Sequence, residues 1–110
     1  MTGFEALAEP TRRRIVELLA AGERSAGEIV AEFEVSAPAI SQHLKALREA
    51  GLVQVRADAQ LRIYALDPAG LAEIDGWLER VRRFWGTRLD ALERELAKPA
   101  APRRGKRRRR

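Results

Sequence analysis

Residues 34–53 read EVSAPAISQHLKALREAGLV, and how this stretch folds decides the architecture. Ser36 has the hydroxyl that caps a helix start, and Ala37, Pro38 and Ala39 form its first turn. Proline is tolerated there because no intrahelical hydrogen bond is lost. Ile40, Leu44 and Leu47 follow at spacings of four and three, the apolar stripe of a helix packed on a core. Ala50-Gly51-Leu52 then reads as a Schellman ending, with Gly51 left-handed and Leu52 folding back on Leu47. With Ile40 set inward, Pro38, Gln42, Lys45 and Glu49 lie near the outward pole, flanked by Ser41 and Arg48. His43, the only histidine in the chain, falls about 60° from the inward direction at about 100° per residue and is expected to be half-buried.

The flanking sequence places this helix in a larger unit. Phe4 and Leu7 mark a short first helix ending near Glu9-Pro10. A second helix over 11–21 buries Ile15, Val16, Leu18 and Leu19 and stops at Gly22. Arg12 and Arg13 lie in its first turn, where the helix dipole disfavours cations; a nearby anion and plain solvent exposure both remain open as the reason. Ser25-Ala26-Gly27-Glu28 has the form of a capping box that starts a third helix, with Ile29, Val30 and Phe33 inward. After the quoted stretch, 52–56 and 61–66 are rich in Leu, Val, Ile and Tyr. With Ala57–Gln60 between them they read as a β-hairpin.

Asp67-Pro68 starts the last helix, which runs to about Ala97 before Pro99 breaks it. Leu71, Ile74, Leu78, Val81, Trp85, Leu89, Leu92 and Leu96 recur along it, with Trp77 and Phe84 widening the stripe. About 28 residues at about 1.5 Å each give a helix of roughly 42 Å, longer than the small domain before it can cover. The remaining apolar patch points to a homodimer in which this helix pairs with the first across a twofold axis. The alternative is a core helix folded back on its own domain.

Composition bounds the function. A chain of 110 residues has room for one small domain, 1–98. The net charge is +5, but residues 99–110, PAAPRRGKRRRR, hold seven of the 21 basic side chains and none of the 16 acids. That leaves 14 basic against 16 acidic groups in 1–98, a net of −2, so positive surface there must come from charges gathered on one face. The tail at 99–110 is expected to be disordered, either simply solvated or an auxiliary arm for DNA. No cysteine is present, which excludes disulfides and thiolate metal sites. One histidine without cysteine supplies neither a nucleophilic triad nor a zinc ligand set, so no metal and no cofactor are expected, and no enzyme. The start of the chain lacks the pattern of a signal peptide, and no stretch is apolar enough to span a membrane. A cytoplasmic protein is expected.

The outward face of the 37–50 helix then becomes the candidate site. Its beginning is small and polar, which lets a helix approach the major groove; Gln42 can pair bidentately with an adenine edge and Ser41 can serve base or phosphate. Ser36, His43, Lys45 and Arg48 are the candidate backbone contacts around it, with Arg12 and Arg13 from the second helix and Arg56 and Arg62 flanking the hairpin tip. Two helices joined by a short turn and followed by a hairpin describe a mainly α fold with a β-hairpin wing, a winged helix-turn-helix. The same periodicity also fits a three-helix core whose exposed face meets protein.

FEALAEPTRRRIVELLAAGERSAGEI, VSAPAISQHLKALREAGLVQV and LRIYALDP together resemble the ArsR (ArsR/SmtB-type) winged-helix repressors of bacteria and archaea, over residues 4–97. The most specific part is S-x-H-L-K-x-L-R-E-A-G-L-V, Ser41 through Val53, following P-T-R-R-x-I. The resemblance implies a repressor acting on double-stranded DNA at the nucleoid and reading an inverted-repeat operator. It implies a homodimer built on the first and last helices, here Phe4, Leu7, Leu78, Val81, Trp85, Leu89 and Leu92. It assigns Ala37, Pro38, Ser41 and Gln42 to the base-reading positions; Ala37 and Pro38 have no side-chain donor, so readout should concentrate on Ser41 and Gln42. The family's wing commonly has a glycine at its tip, and Ala57-Asp58-Ala59-Gln60 has none. Its metal sensors use a cysteine pair on the third helix or His, Asp and Glu on the last. Ser25–Val30 has no thiol and the last helix no histidine, so metal sensing is not expected to transfer; the last helix, with Trp77-Leu78, Phe84-Trp85 and Arg88-Leu89-Asp90-Ala91-Leu92, resembles the metal-free branch. The expected function is a metal-independent repressor. The alternatives are a winged-helix module for protein partners, or a repressor gated by an unidentified small ligand beside Trp77 and Trp85.

Overall fold

The computed structural model describes residues 1–98; the basic stretch at 99–110, read above as a disordered tail, lies outside them. The elements run α1 (Gly3–Leu7), α2 (Pro10–Ala20), β1 (Arg24–Ser25), α3 (Ala26–Ala31), α4 (Ala37–Glu49), β2 (Val53–Asp58), β3 (Leu61–Leu66) and α5 (Pro68–Ala97). They divide into two compact units, Met1–Gly76 and the chain from Trp77 onward.

Local capping sets most boundaries of the first unit. Ser25 and Glu28 form the expected capping box: the Glu28 N–H donates to Ser25 Oγ at 3.2 Å and the Ser25 N–H to Glu28 Oε1 at 2.8 Å. Thr2 and Glu5 form a second one at the start of α1. Ser36 Oγ accepts from the Ala39 N–H at 3.2 Å, with Pro38 inside the first turn of α4. At the other end of α4, Gly51 has φ +80°, its N–H donates to the Arg48 carbonyl and the Leu52 N–H donates to the Leu47 carbonyl, each at 3.0 Å. These are the two bonds of the Schellman ending.

Behind these elements lies one core. Ile15 and Leu19 of α2, Ile29 of α3, and Ile40, Leu44 and Leu47 of α4 are buried with Ala6, Leu52, Val53 and Tyr64. Each large apolar side chain so buried contributes about 1.5–3 kcal/mol relative to exposure. Leu71 and Ile74 of α5 are partly buried against this cluster. The first turn of α5 meets the end of α4 at very short range: a Cβ added to Gly70 would lie 1.9 Å from the Gly51 carbonyl oxygen. The Asp67 N–H donates to the Leu52 carbonyl at 2.8 Å beside it.

The sheet differs from the expected hairpin in two respects. It has three antiparallel strands in the order β1-β3-β2, because Arg24 and Ser25 pair with Tyr64 and Ile63. Two residues are too few to show a strand pattern, and Ser25 belongs to the capping box as well. The hairpin loop is also tighter than 57–60: β2 continues to Asp58, which pairs with Leu61, and only Ala59 and Gln60 turn. Ala59 takes φ +56°, the left-handed region that a two-residue hairpin normally fills with glycine or asparagine. The glycine-free tip is thus a tight turn with a strained alanine.

From Trp77 onward α5 continues to Ala97. Trp77, Leu78, Phe84, Trp85, Leu89, Leu92 and Leu96 are exposed, and Val81 is half-buried. Phe84 and Trp85 meet edge to face at 5.5 Å between centroids, and the Arg88 guanidinium lies 5.4 and 4.8 Å from the two rings. Among the described residues no helix is long and apolar enough to cross a membrane.

Candidate nucleic-acid interface

α4 turns the expected residues outward. Ala37, Pro38, Ser41, Gln42, Lys45, Arg48 and Glu49 are all exposed, while Ile40, Leu44 and Leu47 occupy the opposite face and are buried. The helix therefore presents a low, uncharged N-terminal half with Ser41 and Gln42 as its polar side chains. Its cations follow one turn later.

Those cations join the wing in one cleft. Ser41, Lys45, Arg48 and Glu49 of α4 and Arg62 and Tyr64 of β3 line a concavity of about 320 Å³. Lys45, Arg48 and Arg62 make no ion pair among the described residues. Three uncompensated cations against one acid, Glu49, give the cleft a net positive charge. It is thus suited to a polyanion, although the unit around it is not basic overall.

The other cations assigned to the backbone are engaged within the fold. Arg56 pairs with Glu23 and, at 3.7 Å, with Asp58. Arg12 Nε donates to the Ala6 carbonyl at 2.7 Å, and Arg13 Nη1 donates to the Leu7 and Ala8 carbonyls at 3.0 and 3.4 Å. Both arginines thus satisfy the free carbonyls at the end of α1, the negative pole of that helix. That resolves why cations stand in the first turn of α2.

His43 is half-buried as expected, its side chain 22% exposed. Its Nδ1 lies 3.4 Å from Arg12 Nη1 and 3.7 Å from Glu9 Oε2. Glu9, expected only as the end of the first helix, has a further role here. It caps α2 by accepting from the Arg12 N–H at 2.9 Å. Burial pushes its carboxyl up, but the backbone N–H groups of Arg12 and Thr11, with smaller contributions from the neighbouring His43 and Arg12 side chains, outweigh this and hold it below the usual carboxylate range. Sequence reasoning also gave no role to Tyr64 in the cleft or to Glu23 beside Arg56. Tyr64 is placed by its pairing with Arg24 and Val55, and Glu23 stands directly before β1; neither position is reported by α4's own periodicity, and only the position of Glu9 directly before Pro10 was a usable cap signal.

The residues expected at a dimer interface lie in both units. In the first, Phe4 is exposed and Leu7 is partly buried against the core. In the second, Leu78, Trp85, Leu89 and Leu92 are exposed and Val81 is half-buried. The chain has no cysteine, its one histidine faces Arg12, and no three His, Cys, Asp or Glu side chains cluster among the described residues.

A helix-turn-helix whose second helix turns small polar residues outward beside a positively charged wing cleft defines a DNA-binding protein of the winged-helix class. Comparison with known proteins narrows the class. Residues 9–55 match the family described as "Bacterial regulatory protein, arsR family". The HTH-type transcriptional regulator Rv2034 of Mycobacterium tuberculosis is 49% identical over 82 residues, covering 74% of each chain. The transcriptional repressor SdpR of Bacillus subtilis is 36% identical over 75 residues, 68% of this chain and 83% of SdpR. A crystal structure described as a possible transcriptional regulator for arsenical resistance superposes with a TM-score of 0.70 at 44% identity, covering 89% of this chain and 99% of that one. The chain belongs to the ArsR family of transcriptional regulators, DNA-binding regulators and not enzymes.

Proposed function

We propose that the chain is a homodimeric repressor that binds an inverted-repeat operator and does so without a metal, acting at the nucleoid in the cytoplasm. The observation that carries the reading is the outward face of α4: Ser41 and Gln42 exposed on its N-terminal half, with Lys45, Arg48 and Arg62 sharing one cleft behind them. In this reading α4 enters the major groove, Gln42 and Ser41 address base edges, and Ala37 and Pro38 give close approach. One strand's phosphates follow the cleft between α4 and β3, where the three unpaired cations neutralise them.

The dimer part rests on the second unit, where seven large apolar side chains from Trp77 to Leu96 are exposed on one helix. A second copy is the occupant that gives an inverted repeat its matching symmetry, with half-sites about 34 Å apart. Metal independence rests on the absence of cysteine and the single histidine.

Footprinting of the purified full chain on the DNA upstream of its own gene tests the proposal. Protection of a site with two symmetric halves is the expected result. Equal affinity for that DNA and for duplex of scrambled sequence sinks it.

A further inference from the structure

His43 and Arg12 are joined by a contact that the proposed function does not use. The Arg12 guanidinium is fixed at one edge by its Nε bond to the Ala6 carbonyl, 2.7 Å, so its planar fork has little freedom. The adjoining Nη1 lies 3.4 Å from His43 Nδ1. A guanidinium has only donors and does not give up its proton in proteins. A neutral imidazole that accepts from this guanidinium presents the Nδ1 lone pair and carries its proton on Nε2. Glu9 Oε2, the nearby acceptor, is farther from Nδ1 at 3.7 Å and already takes the Arg12 backbone N–H at 2.9 Å. No partner for Nε2 occurs among the described residues, and the ring sits at the partly exposed flank of α4.

We infer that Arg12 is a positioning residue: anchored on α1, it holds the His43 ring in the Nε2–H form, and that N–H donates to a DNA backbone phosphate. Resting on the operator-binding reading, the inference sharpens it, because it replaces a direct phosphate contact by Arg12 with an indirect one through the recognition helix. The N-terminal corner of α2 thus sets the orientation of a neutral donor on α4. Glu9, which caps α2 beside Arg12, partly offsets the Arg12 charge at that corner.

Two measurements on the full chain test this. The chain has one histidine, so nitrogen-15 NMR of the free protein reads a single imidazole. Wild type should show the proton on Nε2 at alkaline pH, and Arg12→Ala should give a mixture of tautomers. A proton on Nδ1 in wild type, or no change in Arg12→Ala, overturns the inference. Affinity for the footprinted upstream duplex is then followed against salt. His43→Ala should weaken binding about tenfold with the salt slope unchanged, because a neutral donor releases no counterion. His43→Gln, whose amide reaches the Nε2 position, should restore most of the affinity. Arg12→Ala should follow His43→Ala, again with the slope unchanged. A slope lowered by about 0.9 in Arg12→Ala would mean a direct phosphate contact and overturn the positioning role. Full affinity in His43→Ala would overturn the phosphate contact. Equal binding of wild type to scrambled duplex, by contrast, removes the operator-binding reading itself and leaves the tautomer result standing alone.

Discussion

Gly70→Ala is the smallest change that should damage this fold most. The new Cβ would lie 1.9 Å from the Gly51 carbonyl oxygen and 2.7 Å from its carbon. Ordinary carbon-to-oxygen contact begins near 3.3 Å, so the start of α5 and the end of α4 must separate by about 1.4 Å. Neither side yields freely: Gly51 is held at φ +80° by both Schellman bonds, and Leu52, 1% exposed, is tied to Asp67 at 2.8 Å. Overpacking of this kind costs about 1–3 kcal/mol, and loss of one neighbouring backbone bond adds about 1 kcal/mol. The better helix propensity of alanine returns about 1 kcal/mol. The net loss is about 2 kcal/mol, or a fall in Tm of roughly 8–16 °C for a domain of this size. Thermal unfolding by circular dichroism at fixed chain concentration measures it. Gly27→Ala, where a Cβ meets nothing within 4 Å, is the control and should gain about 0.5 kcal/mol. A Gly70→Ala Tm equal to wild type would refute the close packing of α5 on the end of α4.

Other substitutions probe the wing, the cleft and the apolar helix. Ala59→Gly should raise stability by about 0.5–1 kcal/mol, seen as a higher Tm, because it relieves the left-handed backbone at the hairpin turn. Arg62→Ala should lower the slope of log affinity against log salt by about 0.9. Arg56→Ala, whose charge is already met by Glu23 and Asp58, should change that slope far less. Leu89→Glu with Leu92→Glu, both on the exposed face of α5, should convert a dimer to monomer in sedimentation. Acid should destabilise the protein through its helix starts. Glu5 and Glu28 are held below 4.5 by their Thr2 and Ser25 hydrogen bonds, and Glu9 is lowered as well. Their contribution is therefore complete above about pH 5 and lost as pH falls through the lowered folded values. Tm should drop as pH falls below about 4.5, with Glu28→Gln showing a shallower drop.

The parts of this protein that could be read from its sequence are the ones encoded by neighbours along the chain. The start of α4 at Ser36, its stripe Ile40-Leu44-Leu47 and its stop at Gly51 each involve residues within a few positions. All three stand as read. The capping box at Ser25-Glu28 has the same local origin. What escaped was set across the fold. Strand β1 exists only because Tyr64 and Ile63 are beside Arg24 and Ser25. The arginines of α2 have their partners at the end of α1, a helix too short to announce an exposed carbonyl end by pattern. Arg62 stands with Lys45 and Arg48 through the folding of the hairpin against α4. Arg56, six residues away and equally basic, is neutralised by Glu23. Nothing in composition separates those two arginines; only their neighbours in space do.

The central claim is that Ser41 and Gln42 on α4 read base sequence. Selection of the full-length chain against a randomised duplex pool, followed by the affinity of wild type and of Ser41→Ala with Gln42→Ala for the selected and scrambled duplexes, tests it most directly. Enrichment of an inverted repeat is expected, with a selected-to-scrambled ratio that shrinks by about 1–3 kcal/mol per contact removed while binding to scrambled duplex stays the same. No enriched sequence, or a double variant with the full wild-type ratio, would contradict it.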